Sequence, residues 1–416
     1  MYEIENVLRP YAWGSKTAIA GFLGRPASGG PEAELWLGAH PGAPSVAKTS
    51  DGGMQRLDSL IADDPVHHLG AASTSEFGPR LPFLLKVLAA DSPLSLQVHP
   101  TLRQAREGFA REEAAGVDRN AVERNYKDDN HKPEMIFALT PFEALCGFRP
   151  IPSTLALLEH VARSMDQLSL DVPAVLGLVM EDLKGNPEPE GLRAAFTRLI
   201  SGGQDVSDAV GDLVGAVKAG LIQKPYEKEL TTALELNDHY PGDPGVLISL
   251  LLNRISLSPG EAMYLPAGNI HAYLHGLGIE VMASSDNVLR GGLTPKFIDV
   301  PELLNTIDFS AVAVPMLAPE VSGLGQELYC PPFKEFQLQH VVLAPGAEPV
   351  PVAQSGAALI IVVSGSVLLD SPKGDLHLGR GGSAYVPAAE APVNIHPVSG
   401  ATETARAFAV TTALRA

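Results

Sequence analysis

The stretch PGEAMYLPAGNIHAYLHG, Pro259 to Gly276, reads as the end of one strand, a tight turn and the start of another. Residues two apart on a strand share a face, so His271, Tyr273 and His275 form a polar row on one surface. If that row faces inward it needs partners, because buried polar groups are costly when unsatisfied. A metal ion is one partner that fits. The spacing around this turn also recurs. From Gly260 it runs glycine, five residues, Pro266, one residue, Gly268, two residues, His271. From Gly381 it runs glycine, five residues, Pro387, one residue, Ala389, two residues, Pro392. Proline cannot ligate a metal, so the repeat implies two related β modules with metal chemistry in the first.

The 416 residues exceed what one simple core organises, and two or three domains are expected. Residues 1–150 read mainly as strands, turns and short helices, with one helix in TLRQAREGFAREEAAGV. Residues 151–239 change character: STLALLEHVARSMDQL, PEGLRAAFTRLISG, VSDAVGDLVGAVKAGL and YEKELTTALELNDHY all show helical apolar spacing. Strands are expected again from Gly245, and residues 312–416 are strand-rich. The expected architecture is mainly β with an α-helical insert. Residues 1–150 and 240–311 would form the domain with the chemistry, 151–239 the helical insert, and 312–416 a C-terminal domain without metal.

A formal net charge of −18 argues against nucleic-acid binding, which needs a basic face. It leaves room for a small anionic substrate held by a few local cations. No apolar run is long enough to cross a bilayer, and MYEIENVLRPYAWGS lacks a basic-then-apolar signal pattern. A cytoplasmic monomer is therefore expected. Cys146 and Cys330 form no CxxC pair, so neither a disulfide nor a thiolate metal site is expected.

Two further stretches add ligands. In SPLSLQVHP, Ser95, Gln97 and His99 alternate with Leu96 and Val98 and share one face. In YKDDNHKPEMIFAL, Glu134 opens an apolar run, and a buried carboxylate needs a cation or strong donors. His99, Glu134 and His271, with Gln97 as a neutral fourth, form a nitrogen and oxygen donor set that suits zinc and also iron or manganese.

The glycine–proline–histidine spacing resembles the second motif of cupins, double-stranded β-helix (jelly-roll) barrels that hold a metal inside. More specifically, YKDDNHKPEM, SLQVHP, PAGNIHAYLHGLGIEVMASSDNVLRGGLTPK, YAWGS and AELWLGAHP closely resemble the type I mannose-6-phosphate isomerase family, in that family's order. The resemblance covers the first 150 residues and about 240–310. It implies two cupin-type barrels plus a helical domain, and one Zn²⁺ per chain held by Gln97, His99, Glu134 and His271. It also implies interconversion of mannose 6-phosphate and fructose 6-phosphate through ring opening and a cis-enediol. Such a reaction needs a base and positive charge for a developing oxyanion. Glu280 is the expected base, Lys132 a proton shuttle or polarising cation, and Arg290 a holder of enediolate or phosphate. Lys296 is a second cation on the same loop, which Asp286 and Asn287 either orient or simply turn. Tyr273 and Ser95 are placed with the substrate contacts, as are Trp13 and Glu34, which match family positions near the pocket. Two alternatives stay open: a different metal-dependent cupin enzyme with an oxygenase-like iron site, and a sugar-binding cupin without catalysis.

Overall fold

A computed structural model describes residues 1–49, 51–221 and 224–414. It is a mixed sheet-and-helix structure with three sheets, and its strand pairs are antiparallel. The sheets remain open; the nine-stranded one, for example, ends on Glu320–Val321 and Met54–Arg56. That sheet is largely C-terminal but takes in Tyr2–Glu5, which pairs with Ser383–Val386. The eleven-stranded sheet carries the predicted ligands and is organised around one thirteen-residue strand, His271–Ala283.

This long strand changes partners halfway. Its first half pairs with Phe142–Phe148 and Gln97–Val98; its second half pairs with Phe83–Ala90 and Glu134–Ala138. Tyr273 opposes Ala144 while His275 opposes Glu143, so Leu274 is an extra residue and the strand bulges. A bulge reverses which alternate residues face inward. Gly276 follows at φ 129°, and a Cβ there would lie 2.7 Å from both Phe142 Cδ2 and the Pro141 carbonyl. The expected row of three polar side chains is therefore corrected: His271 and Tyr273 are buried, and His275 is exposed. Beyond the bulge the even-numbered residues Glu280 and Met282 take over the inward face.

Alternation then divides the neighbouring strands cleanly. Phe83, Leu85, Val87 and Ala89, with Met135, Phe137, Ile279 and Val281, join the core shared with Phe336, Leu359, Tyr385 and Phe408 of the C-terminal sheet. The opposite faces carry Leu84, Leu88, Ile136 and Ala138 together with three charged groups, Lys86, Glu134 and Glu280.

The four expected helices occur as Ile151–Gln167, Glu188–Ser201, Gln204–Lys218 and Glu227–His239. A fifth, Ala174–Gly185, was not read from the sequence. They pack through Leu157, Phe196 and Val210 against Val98, Leu145 and Leu274, the reverse side of the ligand-bearing strands. The strands expected from Gly245 begin only at Leu252, because 245–251 forms a short α-helix and a 3₁₀ turn. A short apolar run that is buried on all sides has no periodicity to separate helix from strand. The repeat survives in the backbone: Gly260 and Gly381 both have positive φ, and each precedes a four-residue strand, Ala262–Leu265 and Ser383–Val386.

Phe408 stacks edge-on against Phe137 at 4.9 Å, on the strand that begins with Glu134. Replacing Phe408 with Ala should cost about 3–5 kcal/mol, measured as a lowered urea midpoint at unchanged slope.

Candidate metal centre and cleft

His99, Glu134 and His271 converge in the interior, with their donor atoms within 4.8 Å of one another. They come from three separate segments. Glu134 opens its strand and pairs in register with Met282; Gln97 stands directly opposite His271 and, on its other side, opposite Arg290. Each histidine is aimed by its second nitrogen. The Nδ1–H of His99 donates to the Asn287 carbonyl at 2.8 Å, and that of His271 donates to the Asn269 carbonyl at 3.0 Å. A carbonyl only accepts, so both tautomers are set and both Nε2 lone pairs point at Glu134, 3.2 and 3.4 Å from its oxygens.

The electrostatics suit a cation. Burial pushes His99 down to about 4, against the pull of Glu134, so the imidazole is neutral. Its Nε2 is buried without a well-formed hydrogen bond. Burial opposes the Glu134 charge, but Lys132 at 3.0 Å and the two imidazoles hold the carboxyl well below its usual range. Two imidazoles and a carboxylate, with one nitrogen left unbonded, are the donor set of a catalytic zinc site. The residues present fit that ion.

A second charged group lies on the same face. Lys86 pairs with Glu280 directly across the strands, Nζ to Oε2 at 2.8 Å, and reaches Glu34 at 3.7 Å. Glu34 accepts from the indole of Trp36 at 2.6 Å and is buried. Burial opposes the Lys86 charge, yet Glu280, Glu34 and Glu134 hold the ammonium far above its usual range. Burial, partly countered by Lys86, raises the Glu280 carboxyl. Sequence reasoning missed Lys86. The signal was present: one lysine stands inside the eight-residue apolar strand FLLKVLAA, all of it buried.

Above these groups opens a cleft of about 580 Å³. Trp13, Glu34, Ser95, Gln97, Lys132, Asp286, Arg290 and Lys296 all line it, and so does Lys86. Trp13 is half-buried and stacks on Tyr11. Asp286 faces His40 at 3.4 Å, and its backbone N–H donates to Asp128 Oδ2 at 2.7 Å. Tyr273 and Glu280 lie beneath the floor. The Tyr273 hydroxyl closes no hydrogen bond, and burial beside Glu280 and Glu134 holds it protonated. His131 turns away from the cleft and bonds Glu335. Along the rim, Lys127, Arg290 and Lys296 have no ion-pair partner among the described residues. The charge of Arg290, with burial and Lys127, depresses Lys296. Such a cluster calls for an anion. Lys127 is the other residue missed, although it stands in the YKDDNHKPEM motif.

Fold and site together define a protein that can hold a divalent cation at the floor of a cleft rimmed with unpaired positive charge. Comparison with known proteins gives a family. The model for the type I phosphomannose isomerase catalytic domain matches residues 1–151. The mannose-6-phosphate isomerase of Escherichia coli (strain K12) is 40% identical over 398 residues, covering 95% of this chain and 97% of that protein. The chain belongs to the type I mannose-6-phosphate isomerase family. Its relative in Salmonella typhimurium is 40% identical across 98% of this chain and 99% of its own. A solved mannose 6-phosphate isomerase described as zinc-bound is 38% identical over 99% of each chain, with a TM-score of 0.86.

Removing Lys86 leaves Glu280 buried without its partner. Lys86→Met should cost about 3–5 kcal/mol at neutral pH. The Glu280 carboxyl, already raised, should rise further, so the native variant binds a proton where the unfolded chain does not. Its stability should then be greatest below the unfolded carboxyl pKa and fall as pH rises through the raised one. Urea unfolding across this window should show the deficit against wild type shrinking towards acid pH.

Proposed function

We propose that this chain is a zinc-dependent aldose–ketose isomerase that interconverts D-mannose 6-phosphate and D-fructose 6-phosphate. One observation carries the reading: the His99–Glu134–His271 group lies beneath the same cleft whose rim holds three cations without ion-pair partners among the described residues. A phosphosugar is the substrate that has both a dianionic end and hydroxyl and carbonyl oxygens for the floor. The zinc-bound relative favours zinc over an oxygenase-type iron.

Gln97, His99, Glu134 and His271 would hold one zinc per chain. When bound, the ion would supply positive charge for a developing substrate oxyanion. The guanidinium of Arg290 offers paired donors to phosphate or enediolate, with Lys296 and Lys127 adding charge on the rim. Lys132, bonded to Glu134, presents its ammonium to a substrate oxygen. Trp13 walls the cleft, while Ser95, Glu34 and Asp286 offer polar contacts to sugar hydroxyls. Tyr273 supports the floor from below.

A proton must move between C2 and C1 through a cis-enediolate. The base expected at Glu280 reaches the cleft only through Lys86, so we assign the step to the pair. Glu280 Oε2 takes a proton from Lys86 Nζ, and the neutral amine then faces the cleft as acceptor. Burial raises the Glu280 carboxyl and so favours this transfer, while the surrounding carboxylates that hold the ammonium oppose it. A binding module without catalysis would not need such a pair.

We also propose that the open sheets curl into two cupin-type barrels. Residues 1–150 and 240–311 would form the catalytic one, 151–239 a helical insert, and 312–416 a second barrel with Pro392 in place of the ligand histidine. No helix among the described residues is long and apolar enough to cross a membrane. We take the chain to act as a monomer.

The purified protein should form fructose 6-phosphate from mannose 6-phosphate, lose activity on chelation and regain it with zinc. Absence of activity in the zinc-loaded protein would favour a binding module. Arg290→Ala should lower kcat/KM by roughly 10–100-fold. Glu280→Gln should lower kcat while leaving KM nearly unchanged.

A further inference from the structure

We infer that Asn287 is a positioning residue for the metal centre, fixing His99 and the loop that leads to Glu134 against one another. The inference rests on the metal-binding reading above. Asn287 is fully buried. Its side chain uses all four of its hydrogen-bonding capacities on one loop. Oδ1 accepts from the backbone N–H of Lys127 at 2.7 Å and of Asp128 at 3.3 Å. Nδ2 donates to the carbonyls of Asp128 and Asn130, each at 2.8 Å. Reversing the amide would set donor against donor and acceptor against acceptor, so its orientation is fixed.

The main chain of the same residue does the second half. Its carbonyl accepts the Nδ1–H of His99 at 2.8 Å. Its N–H donates to Ser285 Oγ at 3.2 Å, and that hydroxyl donates to Asp128 Oδ1 at 2.8 Å. The loop so held, 127–130, continues directly into Lys132 and Glu134, which bond each other at 3.0 Å. One residue therefore ties two ligand-bearing segments together. A residue that merely formed a local turn would not spend its amide on a segment 157 to 160 positions away. Partners of metal-ligating histidines ordinarily change metal affinity when altered. Here the partner is a carbonyl, whose position depends on the side chain of its own residue.

The test compares wild type with Asn287→Ala and the isosteric Asn287→Asp. The Asp variant keeps the buried volume and the accepting Oδ1 but replaces both donors with an oxygen facing two carbonyls, and it serves if the Ala variant does not fold. Zinc affinity is read by competition with a chromophoric chelator, and geometry by the absorption spectrum of the Co²⁺-substituted protein. Folding of each metal-free protein is followed by circular dichroism. The expected result is a dissociation constant for zinc raised by about 10–100-fold with an altered cobalt spectrum in protein that is folded. Folded variants that match wild type within about twofold in zinc affinity, with an unchanged cobalt spectrum, would overturn the inference and leave Asn287 a structural residue. Wild type that takes up no zinc would instead overturn the metal reading, and this inference with it.

Discussion

Five ionisable groups, Lys86, Glu34, Glu134 and Glu280 on the inner face of one sheet and Lys132 on the loop beside it, are buried, and the surrounding structure is arranged around keeping them paired. Two ammonium groups and three carboxylates leave one negative charge uncompensated. Isolated burial of that charge would be prohibitive. A divalent cation among His99, Glu134 and His271 reverses the balance to a single positive charge, which suits an anionic substrate. Stability and the proposed chemistry thus make the same demand: the groups that would destabilise the metal-free interior are those to which we assign binding and activation of the phosphosugar.

The placement of these charges depends on one backbone irregularity. His271 and Glu280 are nine residues apart, so on a regular strand they would face opposite sides. The extra Leu274 and the positive-φ Gly276 shift the alternation by one, bringing both onto the inner face. The same bend lets a single strand pair with four others and hold ligands from three parts of the chain. The helical block and the C-terminal sheet pack on opposite outer sides, through separate cores, and leave the mouth of the cleft open.

Much of the site was legible in the sequence, because ligands announce themselves by residue type. Histidines beside a glycine–proline turn, and a carboxylate opening an apolar run, are locally improbable unless something pairs them. The helical block was legible for the same local reason, since apolar spacing over fifteen residues is self-evident. What escaped was non-local. Lys86 could be seen as an oddity in FLLKVLAA, but its meaning lies in Glu280, 194 positions away. His275 was placed with His271 because regular alternation says nothing about bulges. Asn287 stood out only as a residue that could orient its own loop; its four bonds to a distant loop could not be seen. Residues 245–251 were read as strand because a fully buried apolar run carries no period.

The account's central claim is most directly tested by anomalous diffraction from crystals of the protein grown with zinc, measured on both sides of the zinc absorption edge. The account predicts one edge-dependent peak per chain, bonded to His99 Nε2, His271 Nε2, a Glu134 oxygen and the Gln97 side chain. Absence of a peak there, or a peak held by other residues, would contradict it.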